Sequence, residues 1–151
     1  MIVSVSRRTD IPAFYHEWFY NRLAAGFALT RNPMNPGQIR RVELNPEEVD
    51  CFVFWCKNPR PFMQNLMRLN SYKFYIQFTL TPYDRDLEPG LPDKIELLET
   101  FRALSAEIGA EKVVWRYDPI IFTGRYDMKY HAERFEWLCG KLSGFTERCI
   151  I

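Results

Sequence analysis

Three stretches decide the fold: CFVFWCKNP at residues 51–59, KFYIQFTLTP at 73–82 and KVVWRYDP at 112–119. Each opens on an almost unbroken run of aromatic and β-branched residues and closes on polar residues and a proline. Such runs fit strands buried on both faces, as in a parallel sheet. Between and after them the apolar spacing turns helical. Leu97, Leu98, Phe101, Leu104 and Ile108 keep the helical period over residues 92–108, and Gly109 closes it. Residues 60–69 set Phe62, Met63, Leu66 and Leu69 on one side. Residues 128–142 follow a capping Asp127, with Met128, Phe135, Leu138 and Leu142 on one face before Gly144.

Toward the N-terminus the same unit recurs. IVSV at 2–5 reads as a strand, SRRTD as its loop, and residues 12–25 as a helix. Thr9 or Asp10 caps that helix, Pro12 sits in its first turn, and Phe14, Trp18, Phe19 and Leu23 point to the core. Gly26 stops it. Residues 27–44 hold two Asn-Pro pairs and a glycine between β-type runs, which predicts an inserted hairpin. FTERCII, at 145–151, begins one more strand. The fold class is therefore α/β, with parallel (β/α) repeats forming a partial TIM-barrel-like sheet and one inserted hairpin. Residues 1–151 read as a single incomplete domain, the N-terminal part of a (β/α) barrel. The last residues have mid-strand character, and so few parallel strands leave open edges.

Composition narrows the function. With 47% apolar and 16% aromatic residues the chain is not disordered. Twenty Lys and Arg face nineteen Asp and Glu, a net charge of +1. That balance argues against a general nucleic-acid binder, although local basic pairs remain. No apolar run approaches the ~20 residues of a membrane span. The start, MIVSVSRRTD, inverts the charge order of a signal peptide. A cytoplasmic protein is expected. Cys51, Cys56, Cys139 and Cys149 are spaced C-x4-C and C-x9-C, which completes neither a zinc ribbon nor an iron–sulfur site. His16-Glu17 begins H-E-x-x-H, but Tyr20 stands where the second histidine belongs. His131, on an apolar helix face, reads as a core histidine.

Ligands of parallel α/β folds bind at the carboxyl ends of the strands. The loops there are rich in Arg, Lys, Asp, Asn and Tyr, whereas those at the opposite end look like plain turns. The candidate ligand-binding residues are Arg7, Arg8, Asp10, Lys57, Asn58, Gln77, Thr79, Tyr83, Arg116 and Asp118. Arg7 and Arg8 suit a phosphate or carboxylate, or pair with Asp10, itself a plausible N-cap. Lys57 and Asn58 follow a buried strand. Gln77 and Thr79 share one face of theirs, as do Arg116 and Asp118. Arg116 and Asp118 form either an anion clamp or a structural latch. Trp55, Tyr83, Trp115 and Tyr117 offer stacking surfaces or core packing.

Ser6-Arg7-Arg8-Thr9-Asp10-Ile11-Pro12-Ala13-Phe14, Arg31-Asn32-Pro33 with Asn35-Pro36, Phe54-Trp55 with Lys57-Asn58-Pro59, Gln77-Phe78-Thr79-Leu80-Thr81-Pro82-Tyr83 and Trp115-Arg116-Tyr117-Asp118-Pro119 resemble an uncharacterised bacterial domain-of-unknown-function family, DUF1848. The resemblance runs in order along the whole chain and matches the family's N-terminal half. It implies a C-terminal half with a cysteine cluster, as in radical-SAM enzymes and spore photoproduct lyases. Cys56 replaces what looks like a Thr or Ser in the family, which argues against an essential ligand there. The implied function is the N-terminal part of a (β/α)-barrel enzyme, substrate unknown. Its iron–sulfur cluster and S-adenosylmethionine would be held by the full-length protein, with no cofactor or metal bound by residues 1–151 alone. The alternative is a cluster-independent barrel binding an anionic small molecule or nucleic-acid component.

Overall fold

The computed structural model describes all residues, 1–151. In chain order the elements are β1 (Ile2–Ser4), α1 (Ile11–Phe14), α2 (His16–Ala25), the hairpin strands β2 (Phe27–Asn32) and β3 (Asn35–Glu43), β4 (Cys51–Cys56), α3 (Arg60–Met63), β5 (Phe74–Thr79), α4 (Lys94–Ile108), β6 (Val113–Arg116), α5 (Met128–Leu142) and β7 (Cys149–Ile150). Five strands form one parallel sheet in the order β1-β4-β5-β6-β7, and the hairpin forms a separate antiparallel pair. The expected parallel neighbours are therefore neighbours. No helix is long and apolar enough to cross a membrane.

Period-2 alternation sorts the sheet into two faces. Phe52, Phe54, Cys56, Ile76, Phe78, Leu80, Val113, Trp115 and Tyr117 all enter the main core cluster. The helices cover this face. Phe19 of α2 meets Phe52 and Phe54 edge-on at 5.5 and 5.3 Å, Phe101 of α4 lies 5.0 Å from Phe78, and Phe135 of α5 stacks on Trp115 at 4.9 Å. The opposite face carries Ser4, Trp55, Gln77, Thr79 and Arg116, in register across the strands. It is mixed, because Val53, Tyr75 and Val114 lie on it beside the polar residues, and none of them enters the main core cluster.

Caps set the longer helices. Asp93 accepts from the Glu96 amide at 2.9 Å and Asp127 from the Tyr130 amide at 2.8 Å, one donor of each helix start satisfied. Three expectations need correction. The helix expected over 12–25 is broken at Tyr15, whose φ of −134° leaves the helical region. Phe14 and Trp18 face outward, 73% and 45% exposed, while Phe19 and Tyr20 are buried and Leu23 packs against the core as expected. Residues 60–69 form one short helix and a 3-10 turn over Leu66–Leu69, because Asn65 adopts a non-helical backbone between them. Phe62, Leu66 and Leu69 still reach the core, so the apolar spacing was met without a continuous helix. The last strand is only Cys149–Ile150, and Met128 faces solvent.

Phe54 is fully buried and touches the rings of Phe19, Phe62 and Phe74. Phe54→Ala should cost about 3–5 kcal/mol, the usual range for an emptied aromatic site. Urea unfolding followed by circular dichroism measures it; a loss under about 1 kcal/mol would mean that the α2–sheet contact is not formed.

Candidate functional site

A cleft of about 400 Å³ opens at the carboxyl ends of β1, β4 and β5, lined by Ser6, Asp10, Trp55, Lys57, Asn58 and Thr79 among others. Asp10 builds its wall. Its Oδ1 accepts from the Ala13 amide at 3.0 Å, capping α1, and its Oδ2 accepts from the Lys57 amide at 2.8 Å. One carboxylate thus ties the β1 loop to the end of β4. Asn58 Oδ1 accepts from the Arg60 amide at 3.3 Å, leaving its NH2 group free for the cleft. Cys56 lies beneath. Burial pushes its thiol well up and the adjacent Asp10 carboxylate adds to that, so it stays protonated and is no nucleophile at neutral pH.

Two polar atoms here have no protein partner. Ser6 Oγ and Trp55 Nε1 are both buried and unbonded, and both residues line the cleft. By contrast, the Nε1 of Trp115 donates to the Leu80 carbonyl at 2.9 Å. A buried donor left unmade costs about 1–3 kcal/mol. Two of the three buried side-chain atoms without a partner belong to residues of this cleft; the third, His16 Nδ1, lies in α2.

The cations nearby are held by acids. Lys57 Nζ is hydrogen-bonded to Glu88 Oε1, which also accepts from Thr81 Oγ1 at 2.8 Å, while Lys94 Nζ binds Glu88 Oε2. The Glu88 side chain is only 6% exposed. Its burial alone would raise the carboxyl pKa, but the hydrogen bonds from Lys57, Lys94 and Thr81 outweigh it and hold it below the usual value. Arg116 pairs with Asp118 and sets its guanidinium over the Trp55 ring, 5.3 Å from the centroid. Arg116 therefore lies on the polar face of the sheet, away from the helices.

The expected residues do not all meet. Asp10, Lys57, Asn58 and Thr79 line the cleft, with Arg116 and Asp118 beside its Trp55 wall. Gln77 lies on the same face, opposite Trp55 in register. Arg7 and Arg8 line a separate cleft on the other side of their loop. Tyr83 is buried and bonds the next loop, donating to the Pro119 carbonyl at 2.8 Å and accepting from the Ile121 amide. His131 is a satisfied core histidine, with Nδ1 3.0 Å from Tyr117 Oη and Nε2 3.1 Å from the Ile121 carbonyl. Glu88, Lys94 and Thr81 escaped the sequence reading. They lie in a Pro-rich loop and a helix start, and no spacing rule brings them to Lys57. Ser6 was passed over because a lone serine in a loop carries no signal until its burial is known.

A family model described as Domain of unknown function (DUF1848) matches residues 2–151. No curated protein and no solved structure matches the chain.

Glu88→Gln should destabilise the protein by roughly 2 kcal/mol at pH 7, less than a fully buried pair because Lys57 is 39% exposed. A lowered carboxyl pKa contributes stability above the ordinary glutamate value of 4.5 and loses it as pH falls through the lower native value. Urea melts of wild type and variant should therefore differ more at pH 7 than at pH 3. An equal gap at both pH values would remove Glu88 from the charge network.

Proposed function

The chain belongs to the DUF1848 family, and we propose that it is the N-terminal part of a (β/α)-barrel enzyme. Its cleft at the carboxyl ends of β1, β4 and β5 takes a small molecule by an anionic group. The observation that carries this is the excess of donors there. Trp55 Nε1 can only donate, so whatever satisfies it must accept. Ser6 Oγ, the Asn58 amide and the Lys57 ammonium add donors, while both oxygens of Asp10 are already used by backbone amides. A carboxylate or phosphate answers such a set. The strand order β1-β4-β5-β6-β7 supports the barrel reading, because each new parallel strand is laid beside the last.

The roles follow from position. Trp55 and Ser6 bind oxygens of the ligand. Lys57 supplies charge and Glu88 fixes where its ammonium lies. Arg116, aimed by Asp118, closes the side next to Trp55. Radical-SAM-like chemistry, which the resemblance implies, is the fuller form of this proposal. No three His, Cys, Asp or Glu side chains gather as a metal site, and the four cysteines are unpaired on β4, α5 and β7. This chain's part, with or without a cluster elsewhere, is to bind and orient the ligand.

The Trp55 indole N–H is its own reporter. In a ¹H–¹⁵N spectrum, titration with inorganic phosphate or acetate should move that resonance, assigned by its loss in Trp55→Phe. The Trp115 signal, bonded to Leu80, should stay. Lys57→Ala should weaken the titration about tenfold, the worth of one charge-assisted hydrogen bond. Arg116→Lys should weaken it several-fold with Tm unchanged, since lysine lacks the planar fork. A Trp55 signal that no anion moves would refute the proposal. A lower Tm with an unaltered titration would make Arg116 a latch.

A further inference from the structure

The Ser6–Asp10 loop has a second cleft on its other side, of about 440 Å³, between β1, the first two helices and the hairpin. Its floor is apolar: Ile11, Phe19 and Leu44 are each under a tenth exposed and belong to the core cluster, and Val3 and Val42 pack against them. Trp18 stands at the wall, 45% exposed. Three arginines line it, Arg7, Arg8 and Arg31, and no acidic residue does. None of the three takes part in an ion pair. Arg8 donates to the Arg31 carbonyl at 2.8 Å, which ties the loop to the hairpin and holds its guanidinium at the cleft.

We propose that this cleft is a binding site for an organic phosphate monoester with an apolar body. Its phosphate lies among Arg7, Arg8 and Arg31 and its body lies on the Ile11–Phe19–Leu44 floor. Three guanidiniums without a neutralising acid favour a dianion over a single carboxylate, and their forks match phosphate oxygens bidentately. An apolar floor rewards a hydrocarbon or aryl body in proportion to the area it covers. Trp18 adds an aromatic wall against that body. A nucleic-acid strand fits less well, since these arginines gather over one pocket in a chain of net charge +1. The site shares only Thr9 with the first cleft, so it stands or falls apart from the function proposed above.

The test is calorimetric titration of the whole chain with octyl phosphate, below its micellar concentration, and with inorganic phosphate. In the Lys57→Ala background, where anion binding at the first cleft is weakened, octyl phosphate should bind with one-to-one stoichiometry and at least tenfold more tightly than inorganic phosphate. Arg7→Ala and Arg31→Ala, both at exposed side chains, should each weaken it about tenfold with Tm unchanged. Lys57→Ala, in the first cleft, should leave it as it is. Equal affinity for the two phosphates would overturn the apolar floor. Full affinity in the Arg7→Ala/Arg31→Ala double variant would reduce the effect to detergent adsorption. Loss of binding in Lys57→Ala with the arginine variants unaffected would assign it to the first cleft instead. No heat with either probe ends the proposal.

Discussion

The Asp10 carboxylate is the constraint on which the carboxyl end of the sheet depends. Each of its oxygens accepts a backbone amide, one from the first turn of α1 and one from Lys57 at the end of β4. The two elements lie far apart in sequence, and the second bond makes a local helix cap into a tertiary tie. Without it the β1 loop would be anchored by the short β1–β4 ladder and by the Arg8 contact to the Arg31 carbonyl. With it, Ser6 on one side and Lys57 on the other face the same cleft. The loop cannot shift toward the hairpin without breaking either the cap or the Lys57 contact, so the two clefts that flank it share one rigid partition.

The sheet supplies the second constraint. A parallel strand alternates its side chains, and here the alternation separates two chemistries. Phe52, Phe54, Ile76, Phe78 and Trp115 face the helices, while Trp55, Gln77, Thr79 and Arg116 face the other way. Register in a parallel sheet fixes which of these meet: Thr79 lies beside Arg116 and Gln77 beside Trp55. A one-residue slip between β4 and β5 would send Trp55 into the aromatic core and Phe54 out of it. The packing of Phe54 against Phe19 and Phe62 therefore holds the site's geometry as well as the fold.

Much of this was legible in the sequence because it rests on periodicity. The apolar runs at 51–56 and 73–80 gave strands, and Asp127 gave a helix start. The paired Asn-Pro steps gave the hairpin. What escaped depends on contacts across the chain. The break at Tyr15 leaves no glycine or proline as a mark, since Pro12 stands where a helix tolerates it. The Phe14 and Trp18 spacing suited one inward helix, yet the break at Tyr15 puts them in two separate helices and both face outward. Glu88 looked like one more charge in a polar loop. Its burial between Lys57 and Lys94 is a tertiary outcome, and a carboxylate reveals such a role only when its partners are known.

Charge pairing separates the two clefts more sharply than their shapes do. In the first, Lys57 and Lys94 share Glu88, and Arg116 has Asp118. Such cations are positioned before any ligand arrives, so little side-chain freedom remains to be lost on binding, and the orphaned Ser6 and Trp55 groups supply the drive. In the second, Arg7, Arg8 and Arg31 have no acid, and their mutual repulsion stays uncompensated in the free protein. An anion there relieves that repulsion as well as making new contacts. The near-zero net charge of the chain hides this division, because it sums a cleft whose cations have acidic partners with one whose arginines have none. Asp10, bonded to the Ala13 and Lys57 amides, ends the loop that runs between the two clefts.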